Sequence, residues 1–160
     1  MKKIILTLML LCTLTLQSKG QSIYKEVLRI QNGFEKTKYD TSKKLQERRV
    51  ASFQWDAIEY MLYKAGNDST FTEHQLGEQT NALMEFVQLY FKRLSENNSK
   101  SKKEIVVSRF KNASLNNSLF HDMDKDLVLA YVSNTLYTTP FSLDTDWVKA
   151  LKEIRSISWD

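Results

Sequence analysis

Positive charge is concentrated in residues 36–49, where only two acidic residues, Asp40 and Glu47, oppose it. The six cationic residues of this basic segment are Lys36, Lys38, Lys43, Lys44, Arg48 and Arg49. Ammonium and guanidinium groups bind phosphate and carboxylate oxygens, and the nearby Phe34 and Tyr39 would add apolar contacts. The segment predicts an interaction face for an anionic partner such as a lipid or lipopolysaccharide headgroup; the alternative is an ordinary solvated helix face.

A run of acids further along the chain has the spacing at which a calcium loop begins. Asp122, Asp124 and Asp126 alternate as the carboxylate ligands of such loops do. The sixth position, where the sharp turn requires glycine, is Leu127, and the twelfth, where a bidentate glutamate is required, is Ser133. The run is more consistent with the start of a helix, where the helix dipole favours negative charge.

The two histidines, His74 and His121, are the remaining candidates for metal binding. A zinc site needs a third and usually a fourth ligand, and although Glu78 lies one turn from His74, no spacing brings His121 near them. We therefore expect no metal and no cofactor. No serine lies in a G-x-S-x-G motif, so we do not expect nucleophilic catalysis. Paired carboxylates among the 19 acids leave a small envelope hydrolase as the alternative to a binding function.

The first twenty residues have the pattern of an export signal. Two lysines precede an apolar run at residues 4–16, and Ser18 and Gly20 are the small residues that a signal peptidase requires. We expect cleavage between Gly20 and Gln21, which makes residues 1–20 a signal peptide. The apolar run is shorter than the roughly 20 residues of a transmembrane helix, and no later segment reaches that length. We expect no transmembrane segment in the mature chain.

The only cysteine, Cys12, lies inside this signal. A lipid anchor at Cys12 would require Gly, Ala or Ser immediately before it, and Leu11 stands there, so we do not expect an anchor. Without Cys12 the mature chain forms no disulfide. Cleavage also removes three lysines and no acid, which lowers the formal net charge from +4 to +1. A near-neutral exported domain gives no electrostatic argument for binding nucleic acid.

The longest helical pattern covers residues 72–96, and we expect the other helices to pack against it. Its apolar residues fall in one sector at 100° per residue; they are Leu76, Leu83, Met84, Phe86, Val87, Tyr90, Phe91 and Leu94. Thr72 and Gln75 have the spacing of a capping box, and Phe71 is placed to pack on Leu76. Residues 66–69 predict the preceding turn, with Gly66 in the left-handed conformation that ends a helix.

Two helices precede this central one. Residues 21–32 carry apolar side chains at helical spacing, and we expect Gly33 to end that helix and residues 34–40 to form a turn. Asp40 or Thr41 is then expected to cap a second helix that continues to about Lys64. That helix has two adjacent apolar stripes, which predicts contacts on both sides.

The C-terminal part is less regular. Residues 97–103 predict a solvated loop, and residues 104–110 fit a helix or a short strand. We favour the helix because no partner strand is visible. Residues 112–121 predict a loop whose apolar residues fold back onto the core; they are Leu115, Leu119 and Phe120.

Two more helices complete the prediction. One is expected to start at Asp122 and to be broken at Pro140. Asp144 is expected to cap the last helix. The apolar side chains of that helix share one narrow sector; they are Trp147, Val148, Leu151 and Ile154.

Three stretches of the chain resemble small exported proteins of unassigned function from Bacteroidetes bacteria. They are the leader ending SKG before Gln21, ERRVASFQWDAIEYM at residues 47–61 and TPFSLDTDWVKAL at residues 139–151. The resemblance implies a secreted or cell-envelope location and carries no activity with it.

These observations predict an all-α protein. We expect a compact bundle of four to six helices that forms a single domain at residues 21–160, after a cleaved signal peptide. The expected function is binding, or a structural role, in the periplasm or outside the cell, with an envelope protein or an anionic glycolipid as partner. The basic segment at residues 36–49 is the candidate face for that partner.

Overall fold

The computed structural model describes residues 22–122, 125–134 and 138–159. Within these residues the fold is all-α and has no strand, which confirms the predicted fold class. The helices are α1 (Ile23–Tyr39), α2 (Leu45–Asn67), α3 (Glu73–Glu96), α4 (Lys100–Asn116), α5 (Lys125–Val128), α6 (Ala130–Ser133) and α7 (Trp147–Ser156). The predicted signal peptide, its cleavage site and Cys12 lie outside the described residues, as does Asp124 of the acid run.

Helix α3 is the centre of the bundle, as its broad apolar sector predicts. It contacts α1, α2, α4 and α7. The capping box at its start is present: the Thr72 hydroxyl accepts from the Gln75 N–H at 3.2 Å, and the Thr72 N–H donates to Gln75 Oε1 at 2.8 Å. Phe71 and Leu76 beside the cap are both buried. Short-range pairing therefore determines where this helix begins.

Helix α1 is longer than the sequence predicts. It continues through Gly33 to Tyr39, so the turn expected at residues 34–40 is wrong. An internal glycine costs a helix about 1 kcal/mol relative to alanine, and burial of Phe34, which is 6% exposed, offsets that cost. Asp40 ends α1 and accepts from the Ser42 N–H and hydroxyl; α2 begins after Lys44 with no side-chain cap, so the cap expected from Asp40 or Thr41 is also wrong.

The turn between α2 and α3 starts later than expected. Gly66 is part of α2, which ends at Asn67, and Gly66 does not adopt the left-handed conformation. Asp68 forms the turn instead, because its Oδ1 accepts from the N–H and the hydroxyl of Thr70 at 2.8 and 2.7 Å. A side chain that bonds two residues ahead fixes a tight turn without a glycine.

Helix α4 resolves the ambiguous stretch at residues 104–110 in favour of a helix. It starts at Lys100 with Ser99 as its cap and ends at Asn116, so the loops expected at residues 97–103 and 112–121 are both too long. Val106, Phe110 and Ala113 recur every three or four residues and are buried on one face. Leu115, which was expected to fold back onto the core, is 39% exposed.

The last helix closes the core, but its cap is Asp146 and not Asp144. The Asp146 carboxylate accepts from the Lys149 N–H at 3.1 Å and from Gln79 Nε2 on α3 at 2.9 Å. Trp147 is fully buried against Phe53 and Phe86, with ring centroids 5.9 and 5.5 Å away. Val148, predicted to share the buried sector, is 43% exposed.

Asp144 instead organises the loop that follows α4. Its carboxylate accepts hydrogen bonds from the Ser118 hydroxyl and from the N–H groups of Leu119, Phe120 and Asp122, at 2.5 to 3.1 Å. One buried acid therefore accepts hydrogen bonds from four donors of a loop that lacks the regular backbone hydrogen bonds of a helix.

Candidate functional site

The six predicted cations lie at one corner of the bundle, which we call the basic corner. Lys36 and Lys38 belong to the last turn of α1, Lys43 and Lys44 to the connection, and Arg48 and Arg49 to the start of α2. The connection is held by a bond from the Lys43 N–H to the Asp40 carbonyl at 3.1 Å. Cations at the end of α1 also interact favourably with its helix dipole.

Two of the six cations have roles within the fold. Lys38 places its ammonium 4.4 Å from the centroid of the Trp55 ring, and Arg48 Nε donates to the Lys38 carbonyl at 3.0 Å. Arg48 therefore joins α2 to the end of α1. Phe34, predicted to lie near the cations as a partner contact, is in the core.

The remaining four cations are close in the chain to two exposed apolar side chains. Tyr39 is 66% exposed and Leu45 is 57% exposed, one on each side of the connection between α1 and α2. Lys36 and Lys44 are exposed, while Lys43 and Arg49 are half-buried. Hydrogen bonds from the Ser42 hydroxyl and N–H, together with the charges of Lys43 and Arg48, hold the pKa of Asp40 below its usual value, so this acid stays ionised inside the corner.

A groove with a volume of about 740 Å³ lies beside the basic corner. It is bordered by the start of α2, the C-terminal half of α3, Lys103 of α4, and the end of α7 with the residues that follow it. Its apolar lining includes Leu89, Phe91, Leu94, Ile154, Ile157 and Trp159. Its charged lining has five cations, Lys44, Lys92, Arg93, Lys103 and Arg155, and two acids, Glu47 and Glu85. We call this feature the basic groove.

The basic groove is shaped by the C-terminal residues. Trp159 has two guanidinium groups over its ring, those of Arg93 and Arg109, at 5.1 and 5.0 Å from the ring centroid. Arg109 also donates to the Ser158 carbonyl at 2.9 Å, and Arg155 is ion-paired with Glu85. These contacts hold the chain end against α3 and α4, and they form one wall of the groove.

The sequence contains no local signal for this groove. Its lining comes from four separate segments of the chain, and the apolar members, including Phe91 and Leu94, have the spacing of ordinary core residues. They pack on the core with one side and line the groove with the other. Only the packing of both α2 and α7 on α3 brings the cations and the apolar wall together.

Two neighbouring acids on α2, Asp56 and Glu59, interact electrostatically. Burial raises the pKa of Asp56; the charge of Lys38 opposes this shift and the charge of Glu59 adds to it. Asp56 accepts from the Tyr131 hydroxyl, and Glu59 accepts from Gln31 Nε2 at 2.6 Å. Both carboxylates thus connect α2 to other helices, and neither lines the groove.

The sequence-based metal candidates are placed apart. His74 and Glu78 lie 3.4 Å apart on the exposed side of α3, and His121 is exposed in the loop that Asp144 holds. Asp122 accepts from the Tyr60 hydroxyl at 2.8 Å and pairs with Lys64 at 2.7 Å. Across residues 22–122, 125–134 and 138–159, no three side chains of the types that bind metals gather at one point.

The described part of the chain contains no helix with the length and apolar character needed to cross a bilayer. No protein-family model, curated protein or solved structure matches this chain.

Proposed function

We propose that this protein is an exported binding protein of the cell envelope whose basic corner meets the anionic headgroups of a lipid or glycolipid surface. The observation that carries the proposal is the exposure of Tyr39 and Leu45 among Lys36, Lys43 and Lys44. An isolated exposed apolar residue is ordinary, but an exposed aromatic and an exposed aliphatic residue within a lysine-rich segment match both zones of a membrane interface.

The two kinds of side chain contribute in different ways. Each lysine or arginine near an anionic bilayer contributes about 1 kcal/mol, and the contribution falls off within a Debye length. Tyr39 and Leu45 add a short-range apolar term that does not depend on salt. Binding by the corner should therefore be reversible, of modest affinity and largely screened at high ionic strength.

Export is the second part of the proposal, and it rests on the signal-like leader and on the resemblance to exported proteins. The intact mass of the secreted or periplasmic protein should correspond to a chain that begins at Gln21, or to that chain less ammonia if Gln21 has cyclised. A product that begins at a diacylglyceryl-modified Cys12 would contradict it.

The test of the corner is sedimentation of the mature protein with anionic vesicles and with lipopolysaccharide. Increasing the salt concentration from about 0.1 M to 1 M shortens the screening length from about 10 Å to 3 Å, so the bound fraction should fall steeply. In the corner variant, Lys36, Lys43 and Arg49 are changed to Gln; Lys38 and Arg48 are left unchanged because they have roles in the fold. This variant should lose most of its binding at low salt.

The matched control changes three exposed lysines elsewhere, Lys25, Lys102 and Lys152, to Gln. It removes the same charge from the molecule and should bind vesicles better than the corner variant does. A third variant, with Tyr39 and Leu45 changed to Ser, should weaken binding at both salt concentrations. Equal sedimentation of the corner variant and the control would show that the corner is only a solvated face.

A further inference from the structure

The basic groove combines an apolar wall with cations, and it is distinct from the basic corner except for Lys44. Its volume of about 740 Å³ lies within the range of roughly 300 to 1,000 Å³ that small-molecule sites occupy. A membrane surface cannot enter a space of this size, whereas one small molecule fits.

The apolar wall is suited to an alkyl chain. Leu89, Phe91 and Leu94 along α3 face Ile157 and Trp159 from the chain end, and all five are half-buried. Side chains that pack on the core and still line an open space leave apolar surface wetted in the unliganded protein. A flexible hydrocarbon chain covers such a surface without requiring polar partners.

The cations lining the groove differ in whether an acid forms an ion pair with them. Arg155 is paired with Glu85, Arg93 bonds Glu96 at 3.3 Å, and Lys92 reaches Glu96 only at 4.0 Å. Lys44 and Lys103 form no ion pair within the described residues.

Both of these unpaired lysines line the groove together with Leu94 and Ser95, near the end of α3. The groove lining therefore includes two cations that no acid of the described residues neutralises.

We propose that the basic groove binds a single-chain anionic amphiphile. The alkyl chain lies along Leu89, Leu94 and Trp159, and Lys44, Lys92 and Lys103 bind the anionic head. Charge complementarity selects the occupant: a neutral or cationic amphiphile would leave two lysines without a counter-charge. The inference goes beyond the proposed function, because it concerns one bound molecule in the groove and holds whether or not the corner meets a membrane.

The first experiment titrates mature protein with alkyl carboxylates of increasing chain length, below their micelle concentrations, using calorimetry and tryptophan fluorescence. Binding should saturate at one molecule per chain, and affinity should rise about two- to fourfold per added methylene until the groove is full. A neutral alkyl glycoside of equal chain length should bind at least tenfold more weakly (about the effect of two lysines), and an alkyltrimethylammonium more weakly still.

The second experiment uses variants. Lys92→Gln with Lys103→Gln, both at exposed positions, should weaken binding of the carboxylate by about tenfold or more and leave the glycoside unaffected. The matched control, Lys25→Gln with Lys152→Gln, removes equal charge outside the groove and should bind like the wild type. Trp159→Phe should abolish most of the fluorescence response while calorimetry still detects binding.

Three results would overturn the inference: no saturable binding, equal affinity for carboxylate and glycoside, or equal loss in the groove and control variants. Carboxylate binding seen only above the micelle concentration would also overturn it, and would attribute the interaction to the basic corner. The corner variant, which keeps Lys44, should retain carboxylate binding in the groove. Failure of one proposal is therefore distinguishable from failure of the other.

Discussion

Trp147 is the residue whose removal should damage the core most. Its ring is completely buried and meets Phe53, Phe86 and Phe141 edge to face. Trp147→Ala should lower the free energy of unfolding by about 3 to 5 kcal/mol, the range for emptying a large aromatic from a core. Urea denaturation measures this directly.

The neighbouring Val148 provides the control, because it is on the same helix and 43% exposed. Val148→Ala should change stability by no more than about 0.5 kcal/mol. Trp147→Phe should cost less than Trp147→Ala, since it keeps most of the ring and removes an indole N–H that is buried without a partner. A Trp147→Ala variant with an unchanged midpoint would show that the packing is not as described.

The contribution of Asp56 to the free energy of unfolding should fall as pH rises, whereas the contribution of most carboxylates increases. Burial raises its pKa in the folded protein, so between the unfolded value, about 3.9, and the folded value the native state holds more protons. Its contribution to stability is therefore fully present below the unfolded pKa and is lost as pH rises through the folded pKa. Asp56→Asn removes this titration and keeps an oxygen that accepts from Tyr131.

The measurement is the difference in free energy of unfolding, wild type minus Asp56→Asn, from denaturant titrations between about pH 4 and 7. This difference in the free energy of unfolding should decrease as pH increases. Other titrating groups, including Asp40 and Asp146, whose pKa values are lowered, cancel in this subtraction. A flat difference, or one that rises with pH, would contradict the raised pKa.

At the scale of the helices, two internal glycines are chemically alike but differ in their surroundings. A methyl group at Gly33 of α1 would meet no atom within 4 Å, whereas one at Gly77 of α3 would lie 2.6 Å from Ile23 Cγ2. Gly33→Ala should therefore stabilise the protein by about 0.5 to 1 kcal/mol through helix propensity. Gly77→Ala should lose that gain to the clash with α1 and become neutral or destabilising.

The clash has its own control in a double-mutant cycle. Ile23→Ala removes the Cγ2 atom, so adding Gly77→Ala in that background should recover the helix-propensity gain. Thermal or urea unfolding of the four proteins measures the coupling. A Gly77→Ala variant as stable as Gly33→Ala would show that α1 and α3 are not packed so closely at this point.

For the whole molecule, the distribution of charge matters more than its sum. The predicted mature chain has a formal charge of only +1, but the basic corner and the cations of the basic groove share Lys44 and are continuous around the start of α2. Residues 112–160, by contrast, contain seven acids and four bases.

The sequence by itself predicted the features that depend on near neighbours in the chain. The apolar sector of α3 and the Thr72 and Gln75 capping box depend on interactions over three or four positions, which spacing alone reveals. The helix at residues 104–110 was correctly inferred from the lack of a partner strand. The basic segment could also be found, because its six cations lie within fourteen consecutive positions. Interactions between near neighbours in the chain determine these features, and tertiary packing is not needed to predict them.

Tertiary structure decided the features that depend on competition between alternatives. Gly33 could end a helix or lie inside one, and burial of Phe34 against the other helices favoured the second. The sequence predicts Asp144 as the cap of α7, but the structure has Asp146 there. Asp146 caps the helix and also accepts a hydrogen bond from Gln79 of α3. Asp144 instead accepts hydrogen bonds from backbone N–H groups of the loop after α4.

The basic groove is a feature that only the tertiary structure decided. Lys44, Leu89, Lys103 and Trp159 come from four segments, and no periodicity relates them. They meet because α2 and α7 both pack on α3 and because Arg109 and Arg93 hold Ser158 and Trp159 in place. How the helices dock on one another is determined by the shapes of many side chains at once, so the groove emerges only when the bundle is assembled.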